Sequence, residues 1–384
     1  MDCSLSSWIL DHDPNLRRIP PRPLQSRQND YESNFDYITL IYDNFRSACG
    51  KYCIAICPPA NNFIEIFSSG RIISEDRKAE VNKMLIPHDR VLKVFSCIEE
   101  TDRNLIYILE NPKILLETKG GNNVIFTSNI LGKGMKINNN LSSKFKGKRV
   151  ILTKNKNNNL RWIKDWVKFY YNAHGADGVL LYDNNSEIYN QEEIYDAIKS
   201  VSSDITVEVV KWPFIWGVHG GPNKEWDSDY CQYGILEHAR YKYLQMSKSV
   251  INCDVDELIM NNNNKSIFEE TENTINGYMA ISGFIVPNYC DEEVNNFSNY
   301  RYLDLGSPAL PKWCVVPSKC NNMQQWKVHD ISGFNNIQFS NEFISRHFRG
   351  INTNWLRKDT KVNEKGEKFV LDKLMIKSVQ EFCS

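Results

Sequence analysis

From Tyr37 to about Ile130 the chain repeats short runs of β-branched and aromatic residues between polar breaks: "YITLIY", "YCIAIC", "NFIEIF", "RVLKVFSCI", "NLIYIL" and "NNVIFTS". Their alternation and regular turn signals predict a small antiparallel, sandwich-like β domain over residues 37–147. Residues 1–36 are polar and marked by proline ("IPPRPLQSRQND"), which reads as an irregular lead-in. A basic, asparagine-rich connector, "KINNNLSSKFKGKR", ends the β-rich segment.

At Val150 the period changes. "VILT" reads as a buried strand, and "LRWIKDWVKFYYNAHG" places Trp162, Trp166 and Tyr170 on one helical stripe, with Gly175 as its stop. "GVLLYD" is a strand, "QEEIYDAIKSVS" a helix, "ITVEVVKW" a strand, "DYCQYGILEHARYKYLQMS" a long helix and "SVINCD" a strand. Strands alternating with helices predict an α/β domain over 148–384, a mostly parallel sheet flanked by helices. Further strands, "YMAISGFIVP", "KWCVVP" and "EFISRHF", and a terminal helix, "FVLDKLMIKSVQEF", complete it.

Composition narrows the class. In 384 residues, 41% are hydrophobic and 12% aromatic, enough for a filled core, and the net charge of −1 argues against nucleic acid as a partner. The opening residues lack a basic start followed by an apolar core, and no window approaches a membrane span. With 11 scattered cysteines, reduced thiols in a cytoplasmic protein are expected. The basic cluster Lys144, Lys146, Lys148 and Arg149 is either solvated or a weak pull toward anionic lipid at the membrane's inner face.

Ligands of open α/β sheets bind outside the carboxyl ends of the strands. Two strands here end in carboxylates, at Asp183 and at Asp254, and the second continues as Asp-Val-Asp-Glu. Residues two apart in an extended segment share a side, so Asp254 and Asp256 are expected to project together. Convergent carboxylates call for a compensating cation, and hard oxygens suit Mg²⁺ or Mn²⁺, which would bridge a diphosphate. The plainer account is that they cap a loop. Asp183, in "LYDNNSEIY", also fits an ordinary turn.

Two long stretches, "VILTKNKNNNLRWIKDWVKFYYNAHGADGVLLYDNNSE" and "CQYGILEHARYKYLQMSKSVINCDVDELI", resemble glycosyltransferases of the GT-A fold, specifically family 92 and related bacterial family 2-like enzymes. "PKWCVVPSKC…WKVHD" is similar to that family's Lys-bearing strand and following His, and "RHFRGINTNWLRK" to its late His-aromatic-Arg segment. The resemblance spans roughly residues 149–360 and leaves the β-rich third unexplained. It implies transfer of a sugar, a hexose from a UDP-linked donor, to a glycan or lipid-linked saccharide, with inversion. It further implies donor contacts at Thr153, Asn155, Asp183, Asn184 and Asp254. Metal ligation is implied at Asp254 and Asp256, completed by His329 or His347. The chain departs from the family in "TKNKNNN", where relatives carry Asn-Glu, and in "DEEVNNF" after "SGFIVPNYC", where an acceptor-side Trp and Phe-Gly are expected.

Inversion needs a carboxylate base, for which Glu292 and Asp291 are nominal candidates in a loop that reads equally as a solvated acidic one. In "WPFIWGVHGGPNKEW", Trp212 and Trp216 are either an acceptor lip or core packing. Cys49, Cys53 and Cys57 alternate as strand residues rather than as a metal site. His174 reads as a helix-end packing residue, and His238 as packing or a ligand. Two other readings of the chain are a haloacid dehalogenase-like phosphatase using "DVDEL" and a catalytically silent carbohydrate-binding protein.

Overall fold

The computed structural model describes residues 5–10, 17–20, 22–50, 52–58, 92–97, 116–118, 124–127, 134–218, 231–289, 295–321, 324–334, 337–351, 353 and 369–383. The chain divides into two compact units, one of residues 1–143 with 214–245, the other of 144–213 with 246–384. Residues 214–245, which the sequence places within the α/β segment, therefore belong to the first unit.

In the first unit, strand β1 (Trp8–Ile9) pairs antiparallel with β2 (Thr39–Ile41), so the lead-in is partly ordered strand rather than wholly irregular. Helix α1 (Tyr31–Asn34) lies between them in sequence. Strands β3 (Asp43–Arg46), β4 (Tyr52–Cys57) and β5 (Leu92–Cys97) form one antiparallel sheet, and β6 (Leu116–Thr118), β7 (Val124–Thr127) and β8 (Gly134–Lys136) another. The described strands thus make three small sheets, not the two faces expected of a sandwich. "NFIEIF" and "NLIYIL" lie outside the described residues.

The long helix, α2 (Cys231–His238) continued by a π-helical stretch over Ala239–Leu244, is buried at every residue. A helix buried on every face must be enclosed by neighbours rather than laid on a surface, and its polar residues must find partners there. Gly234 permits that enclosure: a Cβ there would stand 2.5 Å from the Tyr42 ring. At its centre His238 Nε2 (2.8 Å) and Lys242 Nζ (2.5 Å) both meet Oδ2 of the buried Asp43. The other carboxylate oxygen accepts from the Ser6 N–H (2.7 Å) and Asn138 Nδ2 (2.9 Å). Burial pushes the Asp43 pKa up, but the His238 N–H and the Lys242 charge outweigh it and hold it down to about 2.

The second unit is built on a nine-stranded sheet. Its first half follows the predicted alternation: β9 (Arg149–Asn155), α3 (Leu160–His174), β10 (Gly178–Asp183), α4 (Gln191–Lys199), β11 (Thr206–Lys211) and β12 (Ser249–Asn252). These strands run parallel in the order β11-β10-β9-β12. The second half is mixed rather than parallel: β13 (Glu257–Met260), α5 (Ile267–Asn273), β14 (Tyr278–Val286), β15 (Tyr302–Val315), and, beyond the small hairpin β16 (Gln325–Trp326) and β17 (Ile331–Ser332), β18 (Ile344–Phe348). They extend the sheet as β12-β15-β14-β18-β13, with only β14 and β18 parallel to each other. Strand β19 (Phe369–Leu371) pairs with β15, and α6 (Lys373–Phe382) ends the described chain. The helical crossovers usual between parallel neighbours lie in the first half, whereas β14 and β18 are joined by a long connection through β15.

Helix α3 shows how locally the sequence specifies this scaffold. The Asn159 side chain caps its N-terminus by accepting from the Arg161 N–H, and Gly175 ends it in the left-handed region at φ 69°. Ile163, Trp166, Val167 and Tyr170 turn into the core, while Trp162 is partly buried and donates its indole N–H to the Asn295 carbonyl (2.7 Å). Helices α4, α5 and α6 bury residues in the same core. No helix among the described residues is long and apolar enough to cross a membrane.

Two buried histidines give the fold a pH dependence. His174 takes a packing role, its Nε2 against the Ile259 carbonyl (2.8 Å), and burial lowers its pKa to about 4, as it does that of His238. In the unfolded chain each protonates near 6.5, so between pH 6.5 and 4 the unfolded state binds more protons. Stability is expected to fall as pH drops through that window, by up to about 1.4 kcal/mol per pH unit for each histidine. Urea midpoints at pH 7 and pH 5 check this; equal midpoints would refute it.

Candidate functional site

In the parallel half of the sheet the chain runs outward from β9 to β10 and β11, then returns to the other side of β9 as β12. That reversal makes the carboxyl ends of β9 and β12 a topological switch point, where a crevice opens in doubly wound sheets. Lys154 lies at the end of β9, and Asp254 follows the end of β12. The parallel register Asn252↔Leu152, continued two residues, sets Asp254 beside Lys154. The antiparallel register Asn252↔Trp313 brings Lys312 of β15 to the same place from the other side.

Beyond β12 the chain does not stay extended. Val255 and Asp256 form a tight turn closed by the Glu257 N–H donating to the Asp254 carbonyl (3.0 Å), and the buried Val255 pins that turn to the core. The turn, not strand alternation, brings the carboxylates together. It also recruits Glu257, whose Oε2 accepts from the Asp254 N–H (3.2 Å). Carboxylate oxygens of Asp254, Asp256 and Glu257 lie within 4.8 Å of one another, and no other such group of potential ligands occurs among the described residues.

Cationic side chains surround this cluster. Asp254 Oδ1 meets Lys154 Nζ at 3.0 Å and its Oδ2 meets Lys312 Nζ at 2.5 Å; Lys312 also reaches Glu257 Oε2 at 2.9 Å. His347 is the register partner of Glu257 across β13 and β18. Its Nε2 stands 3.3 Å from Asp256 and its Nδ1 3.3 Å from Glu257. Burial works against the Asp254 charge, but the two lysines hold its carboxyl well below the usual range. Burial pushes Glu257 up. Burial opposes the charge on His347 too, yet Asp256 and Glu257 outweigh it and raise its pKa. Oxygen donors with one imidazole fit a hard divalent cation.

His329 lies within the fields of Lys312, Asp254 and Lys154, and burial lowers its pKa to about 4. Its Nδ1 stands 3.1 Å from the Pro311 carbonyl. Because a carbonyl only accepts, Nδ1 carries the proton and Nε2 keeps a lone pair in the neutral ring.

The other expected donor residues cluster at the ends of β9 and β10. Asn155 Nδ2 donates to Asp183 Oδ1 (2.8 Å), Asn184 Nδ2 to the Trp212 carbonyl (2.8 Å), and Thr153 is buried within β9. Asp183 also accepts from the Ser186 N–H (3.2 Å) and hydroxyl (2.5 Å) and from Gln191 Nε2 (3.1 Å), so its four acceptor sites are taken and it reaches a ligand by giving up one of these bonds. Trp212 is fully buried edge-on against Tyr182, with ring centroids 5.4 Å apart, which is the packing alternative and removes it from an acceptor lip. Trp216 is half-buried in the first unit. Asp291 and Glu292 lie outside the described residues.

Of the basic connector, Lys144 pairs with Glu208, Lys148 with Asp177 (3.0 Å) and Arg149 with Glu272 (2.9 Å). Most of its charge is thus spent within the protein. Lys154 and Lys312 are site members not named from the sequence, although Lys312 lies in the segment likened to a Lys-bearing strand. A lysine closing a buried strand was the available signal, since burial of an ammonium requires a partner.

No protein-family model matches the chain, and no curated protein matches it. Among solved structures it is similar to the mannosyltransferase Ktr4p from S. cerevisiae, at 16% identity and a TM-score of 0.24, covering 41% of this chain and 44% of that one. The GDP complex of Ktr4p gives 16% identity and a TM-score of 0.25, with 41% and 45% covered. The apo structure of the bifunctional glycosyltransferase WbbM gives 12% identity and 0.26, with 41% and 26% covered. The chain spans less than half the length of each.

Proposed function

We propose that the chain is a glycosyltransferase acting on a nucleotide-diphosphate sugar. The observation that carries this reading is the convergence of Asp254, Asp256 and Glu257 with Lys154, Lys312 and His347 at the switch point between β9 and β12. A site that sets acidic ligands beside buried ammonium groups suits an anion and a cation bound together, as a diphosphate with its counter-ion is. Asp256 and Glu257, with an oxygen of Asp254, would hold Mn²⁺ or Mg²⁺, and neutral His347 would join them by exchanging one of its carboxylate contacts for the ion. When bound, that ion supplies positive charge to offset the negative charge developing on a diphosphate leaving group.

The chain's own residues carry the rest. Lys312, raised in pKa despite its burial because Asp254 and Glu257 face it, keeps a fixed positive charge in the site. His347 orients Asp256 and Glu257 from β18. Thr153, Asn155, Asp183 and Asn184, at the ends of β9 and β10, shape the base and ribose side. In an inverting transfer a carboxylate of the segment holding Asp291 and Glu292 would take the acceptor hydroxyl's proton. A UDP-linked hexose as donor, and a glycan or lipid-linked saccharide as acceptor, complete the proposal.

A panel of nucleotide sugars in a thermal-shift assay with Mn²⁺ tests it. At about a hundredfold excess over Kd, a bound donor is expected to raise the melting temperature by about 5–10 °C. No shift with any nucleotide sugar, in Mn²⁺ or Mg²⁺, would remove the reading.

A further inference from the structure

Two ammonium groups converge on one carboxylate at the mouth of the site, and their surroundings are unequal. Lys312 Nζ is shared between Asp254 and Glu257. Lys154, with a side chain only 5% exposed, has one ion pair among the described residues, to Asp254 Oδ1 at 3.0 Å. A buried ammonium offers three donors, and a single carboxylate oxygen engages only part of them. Asp254 itself is a third exposed on its open side, so it stands between solvent and both lysines. An anion with more acceptor oxygens than a carboxylate would satisfy these donors better in the same place. His329 cannot take that role, because its Nε2 presents a lone pair to the site.

We propose that Lys154 and Lys312 form a phosphate-binding pair, and that the Asp254 carboxylate between them marks the place a phosphate group of a diphosphate takes. Before a ligand arrives Asp254 serves as the internal anion that holds the pair in register, and once displaced it still has an oxygen to offer the cation. Its rotation toward the open side uncovers both ammonium groups, while Glu257 keeps Lys312 in position. The physiological ligand named here rests on the transferase reading; the anion site rests on the geometry alone.

Titration calorimetry of the full chain with inorganic pyrophosphate in EDTA tests the pair without any metal. The parent is expected to bind. Lys154→Met is expected to weaken binding about tenfold or more, the loss of one charge-assisted contact, about 1.4 kcal/mol. Lys154→Arg is expected to restore most of it, and Asp254→Ala, which removes the competing carboxylate, to tighten it. Far-UV circular dichroism checks each fold, with Lys154→Gln as the substitute should the Met variant not fold.

No pyrophosphate binding by the parent in EDTA, or equal binding by parent and Lys154→Met, would overturn the proposal. Nucleotide-sugar shifts in Mn²⁺ that survive such a failure leave the transferase reading standing. Pyrophosphate binding without any nucleotide-sugar response supports the lysine pair and removes the transferase reading.

Discussion

Asp256→Ala is expected to lower donor turnover on the order of a hundredfold or more while leaving the melting temperature of the unliganded protein nearly unchanged. Asp256 sits in the turn between β12 and β13, and its backbone does the structural work: its carbonyl accepts from the Phe348 N–H (2.8 Å). That bond survives the substitution. The carboxylate that is lost faces His347 and the other two acids, where removing one negative charge relieves repulsion as much as it breaks a contact. Function and stability therefore separate at this residue. Hydrolysis of the nucleotide sugar that shifts the parent, measured with Mn²⁺ over several donor concentrations, reads the effect. Unchanged turnover would remove Asp256 from the cation site.

Asp43→Ala is expected to act in the opposite sense, costing about 3–5 kcal/mol of stability through an effect unrelated to the site. Asp43 is the common acceptor for His238, Lys242, Asn138 and the Ser6 N–H in the interior of the first unit. Without it the Lys242 ammonium is left buried with its counter-charge gone, which is the expensive half of breaking an interior ion pair. Asp43→Asn combined with Lys242→Met removes both charges together and is expected to recover much of the loss. Urea denaturation of the single and double variants measures the difference. A single variant within about 0.5 kcal/mol of the parent, the range of ordinary surface substitutions, would show that Lys242 finds another partner.

The fates of particular residues show why some features were legible and others not. Helix α3 and its Gly175 stop were readable because the apolar stripe and the glycine are local signals, whereas the Asn159 cap emerged only in the structure. Strands β9, β10, β11 and β12 were readable because a buried parallel strand is a nearly unbroken apolar run. The mixed second half of the sheet was not, since short apolar runs do not say whether their neighbours run parallel or antiparallel. Trp212 looked like either a lip or core; only its burial against Tyr182 decided. His238 carried no signal of its partner, because Asp43 lies almost two hundred residues away in sequence.

The stretch "SVINCDVDELIM" carries the same division. Its apolar half specified a core strand, and its acids marked a candidate site at the strand's end, because charge there needs a partner. That much is local chemistry, and the sequence determined it unaided. What the tertiary structure alone decided is what the acids meet. The return of β12 to the free side of β9 delivers Lys154, the antiparallel entry of β15 delivers Lys312, and the β13–β18 register delivers His347. Glu257, in the sequence only the acid that ends Asp-Val-Asp-Glu, joins the site through the turn and the β13–β18 register. Strand order and register are set by packing over the whole sheet, and no window of sequence contains them.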